Sequence, residues 1–337
     1  MLFAESIVHT CDPFALQFTE TFGIRWYGLA YAAAFLAGWL LFRWFAKTGR
    51  TPLTTAQVGD YATMLVLGVL VGGRVGHVLF YEPTLLTTFT GTFPFWGLLE
   101  LQRGGMSSHG GIAGIAIVSY FFARKHGVSL LHLGDLACFV APIGLGLGRL
   151  ANWVNGELWG KPLPDAVQAA PPWWSVKFPE EMLTMGFARV SELAKLAPQR
   201  TALNLEPDQP IAEALFKACY EGNAVVIAKV APLLTARYPI NFMQAFTDGV
   251  VLMTILVIAW LRPRPAGWIF GWFFLAYGVL RIVTEQYRIP DPDILTIGPI
   301  TLPMLLSALM SLIGASTLVI VSRHPDRRGG LLRRSEN

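Results

Sequence analysis

Several ionisable residues stand inside apolar stretches of this 337-residue chain, among them Arg74, His109, Asp135, Arg149, Arg281, Glu285 and Arg288. A charge in such a place is costly and is retained for function or for pairing. Arg149 and Asn152 lie three apart, on one face if their segment is helical. Arg281, Glu285 and Arg288 also follow a helical stripe. Arginines gathered at one depth repel each other unless carboxylates or an anionic ligand compensate. Phosphate is the natural ligand, because a guanidinium grips it in a planar fork. His109 is the residue type suited to proton abstraction near neutral pH. The structural alternatives are ion pairing between helices, as of Arg74 with Asp135 or Glu285, and snorkelling of long side chains such as Arg288.

The elements carrying these residues read as membrane spans. Apolar residues make up 53% of the chain and charged residues only 14%. Apolar runs of about twenty residues match the hydrocarbon thickness of a bilayer. Seven spans are expected, at Trp26–Phe45, Ala62–Tyr81, His109–Ala123, Leu133–Val154, Ala245–Leu261, Gly267–Tyr287 and Ile300–Val321. The third is short, with room to extend upstream through Gly104. The alternation of an outer-membrane barrel is absent, so the expected class is an all-α integral membrane protein. The pI near 9.0 comes from short basic clusters beside apolar runs. That pattern excludes a nucleic-acid partner and points to the lipid bilayer.

Arg43, Lys47 and Arg50 follow span one, Arg124 and Lys125 span three, and Arg262 and Arg264 span five. Arg323, Arg327, Arg328, Arg333 and Arg334 follow span seven. The alternate short connections hold chiefly Arg25, Arg103 and Arg288. By the positive-inside rule the C-terminus is cytoplasmic and the N-terminus outside. In that orientation Tyr27, His109, Arg149, Asn152, Asn155, Glu157, Arg281 and Glu285 approach the outer face together. The N-terminus has no cleavable signal pattern, so the first span must direct insertion itself.

The expected divisions are a membrane core over 1–160, a helical outer insertion over 161–241, a second core portion over 242–322 and a basic cytoplasmic tail over 323–337. The insertion between spans four and five carries eight Lys/Arg and eight Asp/Glu over Gly160–Asn241. Amphipathic stretches at Glu180–Leu196 and Pro210–Leu234 are punctuated by Pro198, Pro207 and Pro210. Trp173–Trp174 belongs at the membrane interface or in that domain's core. Cys11 and Cys219 are free to pair in an oxidising compartment, and Cys138 reads as a small core residue. No metal-ligand cluster is visible, and no cofactor is expected.

Four blocks resemble the prolipoprotein diacylglyceryl transferases: GGRVGHVLFYEP (Gly72–Pro83), RGGMSSHGG (Arg103–Gly111), GLGRLANWVNGELWG (Gly146–Gly160) and YGVLRIVTEQYRIPD (Tyr277–Asp291). The third looks like the family's signature. The resemblance implies a multi-pass bacterial inner-membrane enzyme. Such an enzyme moves diacylglyceryl from phosphatidylglycerol to the lipobox cysteine of a preprolipoprotein and releases glycerol 1-phosphate. By motif matching, Arg149 and Arg281 fall on the family's critical arginines and His109 on its H-G-G histidine. Tyr27, Asp135, Asn152, Glu157, Gly160, Tyr277, Glu285 and Arg288 fall on further positions important there. Arg74 and Asn155 complete the expected substrate-binding set. The general base is His109, with Glu157 or a substrate-assisted route as alternatives. Arg237–Gln244 reads RYPINFMQ where the family reads R-H-P-S-Q-L-Y-E, and EQYRIPD stands where E-F-F-R-x-P-D is usual. The first departure bears on peptide docking and is the best support for a rival, a catalytically weakened phosphatidylglycerol-binding homologue. The other rival, a membrane transporter, lacks visible internal repeats.

Overall fold

The structure is a computed structural model that describes residues 6–19, 23–91, 94–100, 104–206, 208–290, 296–298, 300–324 and 330–331. Arg103, Pro207, Asp291 and the tail residues Arg327, Arg328, Arg333 and Arg334 lie outside the described residues.

The chain is mostly helical. Among the described residues six helices are long and apolar enough to cross a membrane: α1 (Trp26–Lys47), α2 (Thr55–Phe80), α4 (Leu130–Val154), Ile240–Ala259, Trp268–Glu285 and Leu302–Ser322. The third expected span is helical as α3 (Ser108–His126) but is not one of these six. Its first turn is Ser108, His109, Gly110 and Gly111, and its last carries Arg124, Lys125 and His126, which lowers its apolar content. It does not extend upstream to Gly104, because Ser107 caps it by accepting from the Gly110 amide. Among the described residues strand is confined to short pairs, such as Ile7–Val8 parallel to Val176–Lys177.

The chain forms two compact units. One comprises Ala33–Gly144, Leu252–Ala276 and Met310–Asn337. Within it α2 and α3 pack backbone to backbone: a Cβ at Gly72 would overlap the Gly110 carbonyl, and one at Gly114 the Gly68 carbonyl. Above this contact Tyr61 and Ser119 hydroxyls meet at 2.8 Å. Phe45, Phe139 and Trp260 form an aromatic core. Asp135 is buried, and its carboxylate accepts from the Gly267 and Phe270 amides at 2.7 and 2.8 Å. It therefore caps the Trp268–Glu285 helix, whose first amides lack intrahelical partners. Arg74 does not pair with Asp135. Its guanidinium donates to the carbonyls of Gly97, Leu98, Gly104 and Gly105 at 2.7 to 3.1 Å.

The other unit comprises Met1–Ala32, Leu145–Val251 and Tyr277–Leu309. It contains the insertion, whose core is Met182, Phe187, Leu193, Leu215, Cys219, Val226, Val230 and Leu234. The two amphipathic stretches are not continuous helices. The first divides into a 3-10 turn at Pro179–Leu183 and a helical turn at Val190–Ala194, separated by Gly186 at φ +95°. The second divides into Ile211–Tyr220 and Ala224–Val230 around Gly222 at φ +78°, with Asn223 capping the second piece. Trp173 and Trp174 are exposed and take no part in this core. Cys11 and Cys219 are free thiols, so the pairing is not formed.

Candidate functional site

Arg149 lies near the end of α4, and Gly146 one turn before it lets a neighbouring backbone approach. A Cβ there would lie 3.2 Å from the Gly249 Cα. Gly249 belongs to Ala245–Val251, where the Ile240–Ala259 helix widens to π-helical winding. The extra residue of a π turn re-aims side chains, a device common at functional sites. Here it points Asp248, which is fully buried, at Arg149: Oδ2 lies 3.6 Å from Nε. The Arg281 charge acts on both groups. Tyr277 hydrogen-bonds with Arg149, and the Arg288 charge reaches the same guanidinium. Arg281 is paired one turn on with Glu285, Nη2 to Oε2 at 2.8 Å, and both are buried. Arg149, half-buried, and Arg281, buried, thus share one cluster with the carboxylates of Asp248 and Glu285. Arg281 Nη1 is buried with no hydrogen bond among the described residues.

A second group adjoins Arg149 along α4. Asn152 donates from Nδ2 to the Glu157 carboxylate at 2.9 Å and to the Tyr27 hydroxyl at 3.2 Å. Asn155 reaches the same carboxylate oxygen at 3.4 Å, and Asn241 holds the Glu157 carbonyl at 3.0 Å. Glu157 itself is exposed. Gln244, fully buried, donates to Thr284 on the helix that carries Arg281.

Extended backbone ties these ends together. Lys161 donates to Tyr287, Ile289 to Trp159 and Tyr238 to Lys161, while Arg237 and Val176 exchange both bonds. Gly160 is bridged to Arg288 and pressed against Tyr238, whose carbonyl would overlap any Cβ at that position. This explains a glycine there in mechanical terms: the strap that orients Arg288 needs the space. Behind the strap, Glu181 accepts from Arg237 Nη2 at 2.9 Å and from the Thr235 amide and hydroxyl at 2.9 and 2.7 Å. The Arg237 guanidinium also lies over the Trp159 ring.

The structure therefore gathers Tyr27, Arg149, Asn152, Asn155, Glu157, Gly160, Tyr277, Arg281, Glu285 and Arg288 into one unit. His109, Arg74 and Asp135 belong to the other. His109 is exposed in the first turn of α3. Sequence reasoning missed Asp248, although an ionisable residue inside the apolar run Ala245–Leu261 is the same signal that singles out Arg149. It also missed Asn241, Gln244, Glu181 and Arg237, whose partners are remote in sequence. Among the described residues no group of three or more His, Cys, Asp or Glu is arranged to hold a metal ion.

The family described as prolipoprotein diacylglyceryl transferase matches residues 13–320. A phosphatidylglycerol–prolipoprotein diacylglyceryl transferase of Bdellovibrio bacteriovorus is 38% identical over 94% of each chain. The proteins of the same name from Bradyrhizobium diazoefficiens and Francisella tularensis subsp. novicida are 33% and 32% identical; the alignments cover 92% of this chain in both cases, and 92% and 93% of theirs. The match takes in both the arginine cluster and the α2–α3 pair, and the chain belongs to the prolipoprotein diacylglyceryl transferase family.

Proposed function

We propose that this chain transfers the diacylglyceryl group of phosphatidylglycerol to the lipobox cysteine thiol of a preprolipoprotein, the first step of lipoprotein maturation. The observation that carries the reading is the Arg149–Arg281 pair, half-buried and buried, with a guanidinium donor on Arg281 left unengaged among the described residues. Such a pair suits an oxyanion that gains charge as a bond breaks.

The thiol sulfur attacks the glycerol carbon that bears the phosphate ester. The C–S bond forms as the C–O bond breaks, and glycerol 1-phosphate leaves with the electron pair. A free thiol ionises near pH ~8.5, so a base is needed at neutral pH. His109 takes that proton; Glu157 and a substrate-assisted route are the alternatives. Arg149 and Arg281 clamp the phosphate. Asn152, with Tyr27 and Asn155, orients Glu157, and Tyr277, Glu285 and Arg288 complete the phosphate surroundings. Arg74 and Asp135 serve by holding backbone around α3 and at the start of the Trp268–Glu285 helix.

The chain crosses the bacterial inner membrane seven times, with α3 as the third span, the N-terminus outside and the C-terminus cytoplasmic. Support comes from the alternation of Lys and Arg between connections. The 161–241 insertion lies on the outer face, between the two core portions over 1–160 and 242–322, and selects the peptide. The basic segment over 323–337 faces the cytoplasm.

The test is incubation of purified protein with phosphatidylglycerol and a lipobox peptide. Release of glycerol 1-phosphate with a thioether-linked diacylglyceryl peptide is expected. Binding of phosphatidylglycerol without release would leave the weakened-homologue reading. His109→Gln is expected to lose turnover far more than lipid binding, with partial recovery at high pH, where solvent supplies thiolate. Equal loss of both would make His109 a binding residue.

A further inference from the structure

We propose that one face of the strap moors the 161–241 insertion to the headgroup layer of an anionic bilayer, through Lys161, Tyr238, Tyr287 and Trp174. The inference needs only that the helices flanking the strap cross the membrane. It stands apart from the chemistry of the arginine cluster.

Alternation along the extended backbone separates two faces. Gly160 is bridged to Arg288 and Pro162 to Arg237, so these four residues share one face. Arg237 and Arg288 are buried there. Lys161 stands between the two bridges and therefore belongs to the other face, with Tyr238 and Tyr287, the residues to which its backbone is bonded. Lys161 and Tyr287 are exposed, and Tyr238 is half-buried. The Tyr238 and Tyr287 rings meet edge to face with centroids 5.1 Å apart, and Trp174 stacks on Tyr238 at 6.2 Å. Trp174 and its neighbour Trp173 are exposed. All these residues belong to one compact unit. The strap thus turns its arginines inwards and presents three aromatic rings and a cation on its second face.

Depth decides what covers that face. Tyr238 stands two residues before the Ile240–Ala259 helix, and Tyr287 two residues after the Trp268–Glu285 helix. These helices have 20 and 18 residues, so they are about 30 and 27 Å long, close to the thickness of the hydrocarbon layer. Two residues reach at most about 7 Å beyond a helix end. The headgroup layer is itself about 5–7 Å deep on each side. Both tyrosines therefore fall within it, and the stacking on Tyr238 brings Trp174 to the same depth. Rings with an apolar body and a polar tip are favoured there. A lysine beside them favours anionic phospholipid over zwitterionic. A substrate peptide would leave the rings facing water between encounters, whereas the bilayer is always present. Mooring at this face holds the strap, and with it Arg288, at a fixed depth.

The experiment places the purified full chain in lipid nanodiscs, which leave both bilayer faces open to solutes. The fluorescence of wild type minus that of Trp173→Phe/Trp174→Phe reports this pair of indoles. Phosphatidylglycerol brominated near the headgroup end of its chains should remove most of the difference, bromine at the chain ends little of it, and aqueous acrylamide little. Phosphatidylcholine brominated at the same shallow carbons should quench less. Lys161→Gln should cut the preference for phosphatidylglycerol about fivefold, the worth of one lysine at a charged surface. A measurement on wild type alone does not depend on how the variants fold: phosphatidylglycerol with a diazirine near its headgroup should label peptides that contain Lys161, Trp174 or Tyr238. Indoles open to acrylamide and untouched by bromolipid would overturn the proposal, as would absence of that labelling. Shielding that appears only when a lipobox peptide is added would also overturn it and make the face a peptide site. Equal quenching by the two lipids would overturn the anionic partner. Quenching of the remaining tryptophans by chain-end bromine reports insertion of the helices, so failure of that premise reads differently from failure of the mooring.

Discussion

Arg74 and Arg281 both carry a full charge into an apolar helix, and both are buried to nearly the same degree. Their partners differ. Arg74 spends its guanidinium on the carbonyls of Gly97, Leu98, Gly104 and Gly105, which order the chain leading into α3. Arg281 has a carboxylate partner in Glu285, a second carboxylate, Asp248, within electrostatic reach, the like charge of Arg149 nearby and one buried Nη1 without a hydrogen bond among the described residues. The first arrangement is complete without a ligand. The second gathers charges of both signs and keeps a buried donor with no hydrogen bond among the described residues. An intramembrane arginine is thus a functional signal only after its partner set is known; in sequence the two positions look alike.

The comparison is broken most directly by removing each arginine. Arg281→Ala and Arg149→Ala are expected to insert normally and to lose transfer by on the order of 10²-fold or more, the usual loss when a charge-assisted contact to a developing oxyanion is removed. Lysine at Arg149 should rescue poorly, because it cannot make a bidentate fork. Turnover near wild type at matched expression would remove the clamp. Arg74→Ala should show the converse. It strips donors from four carbonyls, each costing about 1–3 kcal/mol if left buried and unpaired. Poor accumulation and a lower melting temperature are expected, with the KM for phosphatidylglycerol unchanged in whatever protein folds. A raised KM in a stable Arg74→Ala protein would place Arg74 with the ligand-binding group.

A subtler test concerns the strap. Glu181 and Arg237 form a buried pair beneath the Gly160–Arg288 bridge. Removing one member of such a pair leaves a buried charge, at a cost of about 3–5 kcal/mol. Glu181→Ala should therefore lower thermal stability and raise the KM for the lipobox peptide more than it lowers kcat. Loss of kcat alone would mean that the strap does not order the peptide side. The same contact limits how the insertion can be shortened. Val176 exchanges both backbone bonds with Arg237, so a linker replacing Val167–Val230 removes strap as well as insertion.

Much of this was legible in sequence because it follows from composition and length. The cores of α1, α2 and α4 fall where the apolar runs place them. Arg149, Asn152, Arg281 and Glu285 are singled out in sequence because polar groups in apolar runs stand out. Asp248 is not. One carboxylate scarcely alters the hydropathy of its run, and π winding has no signature at the helical period. The breaks at Gly186 and Gly222 were hidden because an amphipathic pattern survives an interruption in the helix. Asp135 carried the expected signal but plays an unexpected part. Its partners are the backbone amides of Gly267 and Phe270, which no side-chain pattern encodes.

The smallest expected effect lies where the N-terminal segment meets the insertion, and it tests whether that contact, like Arg74, is complete in itself. His9 is buried, with Nε2 donating to the Trp153 carbonyl at 2.7 Å and Nδ1 accepting from the Tyr220 hydroxyl at 3.0 Å. The neutral ring satisfies both bonds. Burial is the main cause that pushes its pKa below the usual 6.5. The unfolded chain therefore binds the proton more readily, and stability falls as pH drops below about 6.5 towards the folded value. Glu180, which lies near Tyr220, works in the opposite sense. Burial and the Glu157 charge raise its pKa, so its contribution weakens as pH rises from about 4.5 to its folded value. Subtracting His9→Gln from wild type isolates the histidine. Wild type should lose more melting temperature than His9→Gln between pH 7.5 and 5.5, and hydrogen exchange at Val8 and Lys177 should rise in step. Parallel melting curves in the two proteins would show that this contact does not sense pH, and that its closure rests on the paired strands Ile7–Val8 and Val176–Lys177 alone.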